Sequence, residues 1–138
     1  PCRIGTKRML ETLERIVEGK GELEDLDHLE NIAYFVKENS LCGLGKSAPL
    51  PVISTLNTFR DEYIEHIVDK KCKSHTCTAL KVFKINADKC VGCTKCARNC
   101  PADAITGEKK KVHTIDTAKC IRCGACMEGC NFGAVYVD

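Results

Sequence analysis

Apolar positions in the first half of the chain fall at helical spacing. Met9, Leu10, Leu13, Ile16 and Val17 recur at steps that keep them on one side of a helix, and Gly19 and Gly21 end the run. Leu26, Leu29, Ile32, Ala33 and Val36 form a second stripe that stops near Asn39 and Ser40. The stretch 41–49, with Cys42, Gly43, Gly45 and Pro49, reads as a loop. Pro51 suits the opening of a third helix, whose buried face would be Val52, Leu56, Phe59, Tyr63 and Ile67. Three amphipathic helices that bury one another's stripes make a small bundle, expected over residues 1–70.

The pattern changes near Lys70. Residues 71–80 read as a short polar linker with cysteines of its own, Cys72 and Cys77. Beyond it the apolar pieces are short and strand-like, at 82–85, 104–106, 112–115 and 134–137. The second half also repeats itself with a period of 30 residues, the step from Cys90 to Cys120. Ile85 matches Ile115, Lys89 matches Lys119, and Ala104-Ile105 matches Ala134-Val135. Each repeat reads strand, cysteine loop, helical turn, strand, and two such halves can pack about a pseudo-two-fold axis.

Composition adds one decisive fact. Hydrophobic residues are 43% of the chain, a globular value, and the net charge of +2 gives no general attraction to nucleic acid. No apolar run has membrane-spanning length, and Pro1-Cys2-Arg3-Ile4-Gly5 is not the charged and then apolar start of a secretory leader. The lack of an initiator Met fits a piece cut from a longer polypeptide, or a start exposed by removal of that Met. The twelve cysteines would mean disulfides in a small secreted protein, but their spacing argues for metal. Thiolates kept for metal need a reducing compartment, so a cytoplasmic location is expected.

Cys90, Cys93, Cys96 and Cys100 are followed by Pro101, the run found in bacterial ferredoxins, and Cys120, Cys123, Cys126 and Cys130 repeat it. Three cysteines at this spacing wrap one four-iron cubane, while the fourth ligates the other cluster. The expected sets are therefore Cys90, Cys93, Cys96 and Cys130 for one cluster and Cys120, Cys123, Cys126 and Cys100 for its twin. Gly92, Gly124 and Gly129 lack a Cβ and let backbone N–H groups approach the sulfurs. A four-cysteine zinc site has no use for a third cysteine at the same spacing, duplicated with a remote fourth. Asn131 stands where a proline usually follows the fourth cysteine, which relaxes a turn but removes no ligand. The expected fold is α+β: a helical bundle, a linker over 71–80, and a two-cluster ferredoxin-like domain over 81–138. The basic stretch Gly107-Glu108-Lys109-Lys110-Lys111 reads as a solvated hairpin tip, with a docking patch for an acidic electron carrier as the sharper reading.

Two further cysteines, Cys2 in Pro1-Cys2-Arg3-Ile4-Gly5-Thr6 and Cys42 in Ser40-Leu41-Cys42-Gly43-Leu44-Gly45, lie in the helical half, where either a core thiol or a ligand is open to them. These two motifs resemble the end of the NADH-binding, FMN-containing subunit of complex I and its relatives. The resemblance implies that Cys2 and Cys42 are two of the four ligands of a further [4Fe-4S] cluster. Its other two ligands, the FMN site and the NADH site would lie before Pro1. The continuation through Phe59-Arg60-Asp61-Glu62-Tyr63, His66 and Cys77 into a two-cluster tail is similar to the flavoprotein beta subunit of NAD(P)-linked iron hydrogenases, including the electron-bifurcating type. Related formate dehydrogenase subunits share it. The resemblance covers the whole chain. It implies partners in the other subunits of such a complex, including a thioredoxin-like [2Fe-2S] subunit and a catalytic subunit, or a soluble ferredoxin.

Cys72, Cys77 and His66 suit zinc, with His75 or Glu62 as the fourth ligand; two free thiols are the plainer reading. His28 and His113 are isolated and read as ordinary surface or strand residues. Together these features predict an electron relay without a substrate pocket of its own. A self-contained two-cluster ferredoxin with a helical extension, and a docking module whose clusters are mainly structural, are the alternatives. Reversible reduction separates the relay from the structural role, and dependence on a flavoprotein partner separates it from the free ferredoxin.

Overall fold

The computed structural model describes residues 1–138 as two compact units, Pro1–Leu80 and Lys81–Asp138. No helix is long and apolar enough to cross a membrane.

The first unit begins with α1 (Cys2–Val17) and α2 (Glu24–Asn39). Their facing stripes supply most of the core: Met9 and Ile16 from α1, and Leu26, Leu29 and Ala33 from α2. Leu10 and Val17, expected on the buried face of α1, are instead exposed. Gly5 permits the close approach of the two helices, since a Cβ there would lie 2.1 Å from Val36 Cγ2. Helix α1 ends in a Schellman turn: Gly19 takes φ +77, the Gly19 N–H donates to Ile16 and the Lys20 N–H to Arg15. Acidic Glu24, Asp25 and Asp27 occupy the first turn of α2, where the helix dipole favours them. Asp25, nearly buried, accepts from the Glu22 N–H at 2.9 Å and pairs with Arg15 at 3.2 Å.

The next segment differs from the sequence expectation. Within the stretch read as a loop lies a short helix, α3 (Gly43–Ser47). The single third helix is two, α4 (Leu50–Thr58) and α5 (Arg60–Val68), broken at Phe59, where φ is −124° and ψ is 32°. Arg60 bonds to Glu30 at 2.9 Å and Asp27 at 3.2 Å on α2, and the Thr55 hydroxyl meets the Tyr63 hydroxyl at 2.9 Å across the break. These contacts anchor both sides of the break, and the break shifts the helical phase. Ile53, Leu56 and Ile67 are therefore buried, while Phe59 is 50% exposed. Residues 71–80 fold back on the helices. Lys70 Nζ donates to the Gly21 carbonyl, and Leu80, in a single 3₁₀ turn, is buried against Gly19.

The second unit holds β1 (Phe83–Ile85), α6 (Lys95–Arg98), β2 (Ile105–Thr106), β3 (Thr114–Ile115), α7 (Ala125–Glu128) and β4 (Val135–Val137). Strand β1 pairs antiparallel with β4, with Ile85 opposite Val135, and β2 pairs with β3, with Ile105 opposite Ile115. Each pair thus takes one strand from each repeat, so neither repeat can finish a sheet alone. The duplication extends to single bonds. Asn86 N–H donates to Ala134 and Asp116 N–H to Ala104, and the side chains of Asn86 and Asp116 each cap the second residue on. Phe83, Ile105, Val135, Cys96 and Cys126 form the core between the pairs.

Candidate metal centres

The interlocked repeats carry the cysteine loops to the edge of this core. Cys96 and Cys126, in the first turns of α6 and α7, are buried; Cys90, Cys100, Cys120 and Cys130 are half-buried; Cys93 and Cys123 are exposed. Cys90, Cys93, Cys96 and Cys130 line one recess together with Gly92 and His113. Three ligands of that recess precede β2 and the fourth follows α7, so the two halves of the repeat meet there. In the twin arrangement, Cys100 and Cys120 pack against the core that holds Cys126.

The local chemistry fits cubane ligation. Burial pushes the Cys96 thiol up, and thiolates at Cys90 and Cys93 would push it further; Cys126 is raised in the same way by burial and by Cys120 and Cys123. Crowded thiols of this kind shed their protons when a cation neutralises them. At Cys130 burial also opposes ionisation, but the backbone N–H groups of Ala134, Phe132, Val135 and Gly133 outweigh it and lower the thiol. The Ala134 N–H donates to Cys130 Sγ at 3.4 Å, and its repeat counterpart, the Ala104 N–H, donates to Cys100 Sγ at 3.3 Å. Such N–H···S bonds stabilise charge on the sulfurs.

Two features near the recess exceed the sequence reading. The basic tip 107–111 is not only a solvated turn: its backbone lies on Gly92, whose carbonyl accepts from the Lys110 N–H at 2.9 Å. His113, read as an ordinary residue, is 1% exposed, and its Nε2 has no hydrogen-bond partner. The repeat contained the signal, because His113 stands 30 positions after Phe83, another buried strand residue.

In the first unit Cys2 opens α1 and Cys42 immediately precedes α3. Gly45, in α3, packs beside Cys2: a Cβ there would lie 3.3 Å from Cys2 Cβ and 2.8 Å from Ser40 Cβ. The two segments that carry these cysteines are therefore neighbours, as shared ligation requires.

His66, Cys72 and Cys77 place their ligand atoms within 4.8 Å of one another. The His66 Nδ1–H donates to the Glu62 carbonyl at 2.7 Å, which turns Nε2 toward Cys77 Sγ at 3.6 Å. Metal-binding histidines are commonly held in this way, with the ring nitrogen away from the ion fixed by a backbone carbonyl. Burial works to raise the Cys72 thiol. The Ser74 hydroxyl, the backbone N–H groups of Cys77 and Thr76 and the Cys77 side chain together lower it to about 6. Neither His75 nor Glu62 belongs to the trio. His75 instead closes a turn at φ 51°, its N–H donating to the Cys72 carbonyl.

Comparison with known proteins agrees with this division. Residues 1–66 match the NADH-ubiquinone oxidoreductase-F iron-sulfur binding region, and residues 83–137 match the 4Fe-4S dicluster domain. The chain is 50% identical over 113 residues to the NADP-reducing hydrogenase subunit HndC of Solidesulfovibrio fructosivorans, a match covering 82% of this chain and 23% of that protein. It is 44% identical over 72 residues to the F-type subunit of NADH-quinone oxidoreductase from Streptomyces coelicolor, covering 52% of this chain and 16% of the relative. Over 61 residues it is 38% identical to the NADP(+)-dependent formate dehydrogenase subunit beta of Moorella thermoacetica, covering 44% of this chain and 9% of the relative. It thus spans less than a quarter of these relatives. Residues 1–66 are thus similar to the NADH-ubiquinone oxidoreductase-F iron-sulfur binding region and residues 83–137 to the 4Fe-4S dicluster domain, and the chain is an iron–sulfur electron-transfer module.

Proposed function

We propose that this chain relays single electrons inside a flavin-dependent, NAD(P)H-linked hydrogenase or a related complex. The carrying observation is the recess where Cys90, Cys93 and Cys96 meet the remote Cys130. Its repeat counterpart is the set Cys120, Cys123, Cys126 and Cys100. When bound, the two [4Fe-4S] groups supply one-electron exchange. The protein's part is to hold the eight thiolates, to shield Cys96 and Cys126 from water, and to aim the N–H groups of Ala104 and Ala134 at ligand sulfurs.

In this reading Cys2 and Cys42 join two cysteines of an upstream segment in a further cluster, and FMN and NAD(P)H sites belong to the same longer protein. The names of the relatives support a hydrogenase or quinone oxidoreductase setting. Partners are other subunits of the complex, among them a thioredoxin-like [2Fe-2S] subunit and a catalytic subunit, or a soluble ferredoxin. Thiolates kept for metal ligation favour the cytoplasm. His66, Cys72 and Cys77 hold a structural zinc that braces residues 71–80.

The test is anaerobic purification followed by dithionite reduction monitored by EPR. A relay gives reversible signals from two clusters, with about eight irons and eight sulfides per chain. Metal that stays silent through oxidation and reduction would leave only a structural role.

A further inference from the structure

The turn at 107–111 supplies no ligand, yet it concentrates positive charge beside a ligand loop. Lys109, Lys110 and Lys111 are all exposed. Lys111 pairs with Glu108, while Lys109 and Lys110 have no ion-pair partner. Two cations at one tip are thus left to solvent.

The tip is fixed in place. Lys110 takes φ 66, its N–H donates to the Gly92 carbonyl at 2.9 Å, and the Lys111 N–H donates to the Glu108 carbonyl at 3.0 Å. Gly92 lies between Cys90 and Cys93, and Cys93 is the exposed thiol of that loop. Val91 and Phe132, 50% and 51% exposed, line the same recess as Cys93, and Lys95 joins them. Exposed apolar side chains around an exposed ligand, with cations at the edge, reproduce the apolar centre and polar rim of a protein interface. Electron-transfer encounters need only a small one.

The twin site has no such rim. Arg122 holds the place of Gly92 in the second repeat, and the segment beside it contributes only the half-buried Lys81. Helix α7 also carries an exposed acid, Glu128, where α6 carries Arg98. The Cys93 face is therefore basic, and the Cys123 face is mixed.

We propose that the face formed by Lys109, Lys110, Val91, Cys93 and Phe132 docks a small acidic protein that carries a one-electron centre near its surface. The net charge of +2 is too small to select a partner, so the local rim does so. Opposite charge steers and orients the encounter, and salt screens it. The exchange moves one electron, with one centre oxidised and the other reduced, and no bond forms or breaks. This inference rests on the two-cluster reading, whose own failure would show as missing iron and sulfide.

The probe is a soluble, acidic b-type cytochrome, with basic cytochrome c as its opposite. Each is mixed with cluster-loaded chain that has been reduced and freed of reductant, and haem absorbance follows the electron onto ferric haem. Lys109→Glu with Lys110→Glu slows the acidic cytochrome about tenfold at low salt and speeds the basic one, and both effects fade as salt rises. Lys119→Glu with Arg122→Glu makes the same change of net charge at the twin loop and slows the acidic cytochrome far less. Equal slowing by the two pairs, in proteins with full iron content, would overturn the proposal, because net charge alone would then account for it. Lysine acetylation reads docking without electron transfer: the acidic cytochrome shields Lys109 and Lys110 of the parent chain more than Lys119. Equal or absent shielding rejects this face, and it decides the matter if the reversed tip fails to load iron.

Discussion

Gly92 and Lys111 meet backbone to backbone: a Cβ on Gly92 would lie 2.5 Å from the Lys111 amide nitrogen and 2.6 Å from its carbonyl oxygen. Gly92 also takes φ +67, so both space and conformation require glycine. Gly124 takes φ +81 but has nothing nearer to its absent Cβ than Phe83 Cζ at 3.8 Å. Gly92→Ala should therefore cost about 2–5 kcal/mol, overpacking and left-handed strain together, and release iron. Gly124→Ala should cost only about 1–2 kcal/mol, the strain alone. Thermal unfolding of loaded protein with iron analysis compares them, and equal losses would show that the loop contact is unimportant.

The break at Phe59 makes a second contrast. Leu56 is 1% exposed in the helical core and Phe59 is 50% exposed, although a continuous helix would bury both. Leu56→Ala should lose about 2–5 kcal/mol. Phe59→Ala should lose under about 1 kcal/mol, as is usual for exposed positions. Denaturant titration of the two variants reads the difference directly. A Phe59 loss as large as that of Leu56 would mean that the two helices run on as one.

What the sequence made legible, and what it hid, follows from the range of the interactions. The cysteine runs and the repeat were readable because ligand spacing is local and duplicated. The strands β1 and β4 were readable because each is a short apolar run. Stripes on α1 and α2 were readable from their period, but Leu10 and Val17 look as apolar as their buried neighbours and only the packing leaves them outside. The break at Phe59 was hidden because its anchors, Glu30 and Asp27, lie 30 and 33 residues from Arg60. Residues 71–80 looked like a linker because their order comes from Gly19, Glu65 and the His66 trio, not from a pattern of their own. His113 was missed as a residue on its own but was visible in the alignment of the two repeats.

The crossed ligand sets predict paired phenotypes. If Cys130 shares a site with Cys90, then Cys130→Ser and Cys90→Ser should leave the same surviving EPR signal, with about four irons retained per chain in each if the damaged site empties. Cys100→Ser and Cys120→Ser should leave the other signal. A cluster built within a single run would instead pair Cys130 with Cys120, and the two survivors would change partners. The comparison needs no assignment of potentials, only the matching of spectra.

The trio of His66, Cys72 and Cys77 predicts a metal distinct from the iron. The Cys72 thiol, lowered to about 6, is largely thiolate at neutral pH, and His66 presents Nε2 because Nδ1–H is held by Glu62. A thiolate, a second sulfur and an imidazole nitrogen within 4.8 Å make a soft donor set that favours zinc over magnesium or calcium. Elemental analysis should find about one zinc per chain beside the iron. Cys72→Ser and His66→Ala should each remove it while leaving iron content and EPR signals intact, because neither residue touches a cluster ligand in its own unit. Both should also loosen residues 71–80, read as faster amide exchange around Cys72 and Leu80, since little besides buried Leu80 and the Lys71 and Lys73 bonds to Glu65 otherwise ties them to the helices. His75→Ala is the control: His75 lies outside the trio, so its loss should leave the zinc bound. Loss of zinc in His75→Ala would make His75 a ligand and require the turn at Cys72 to open when the ion binds.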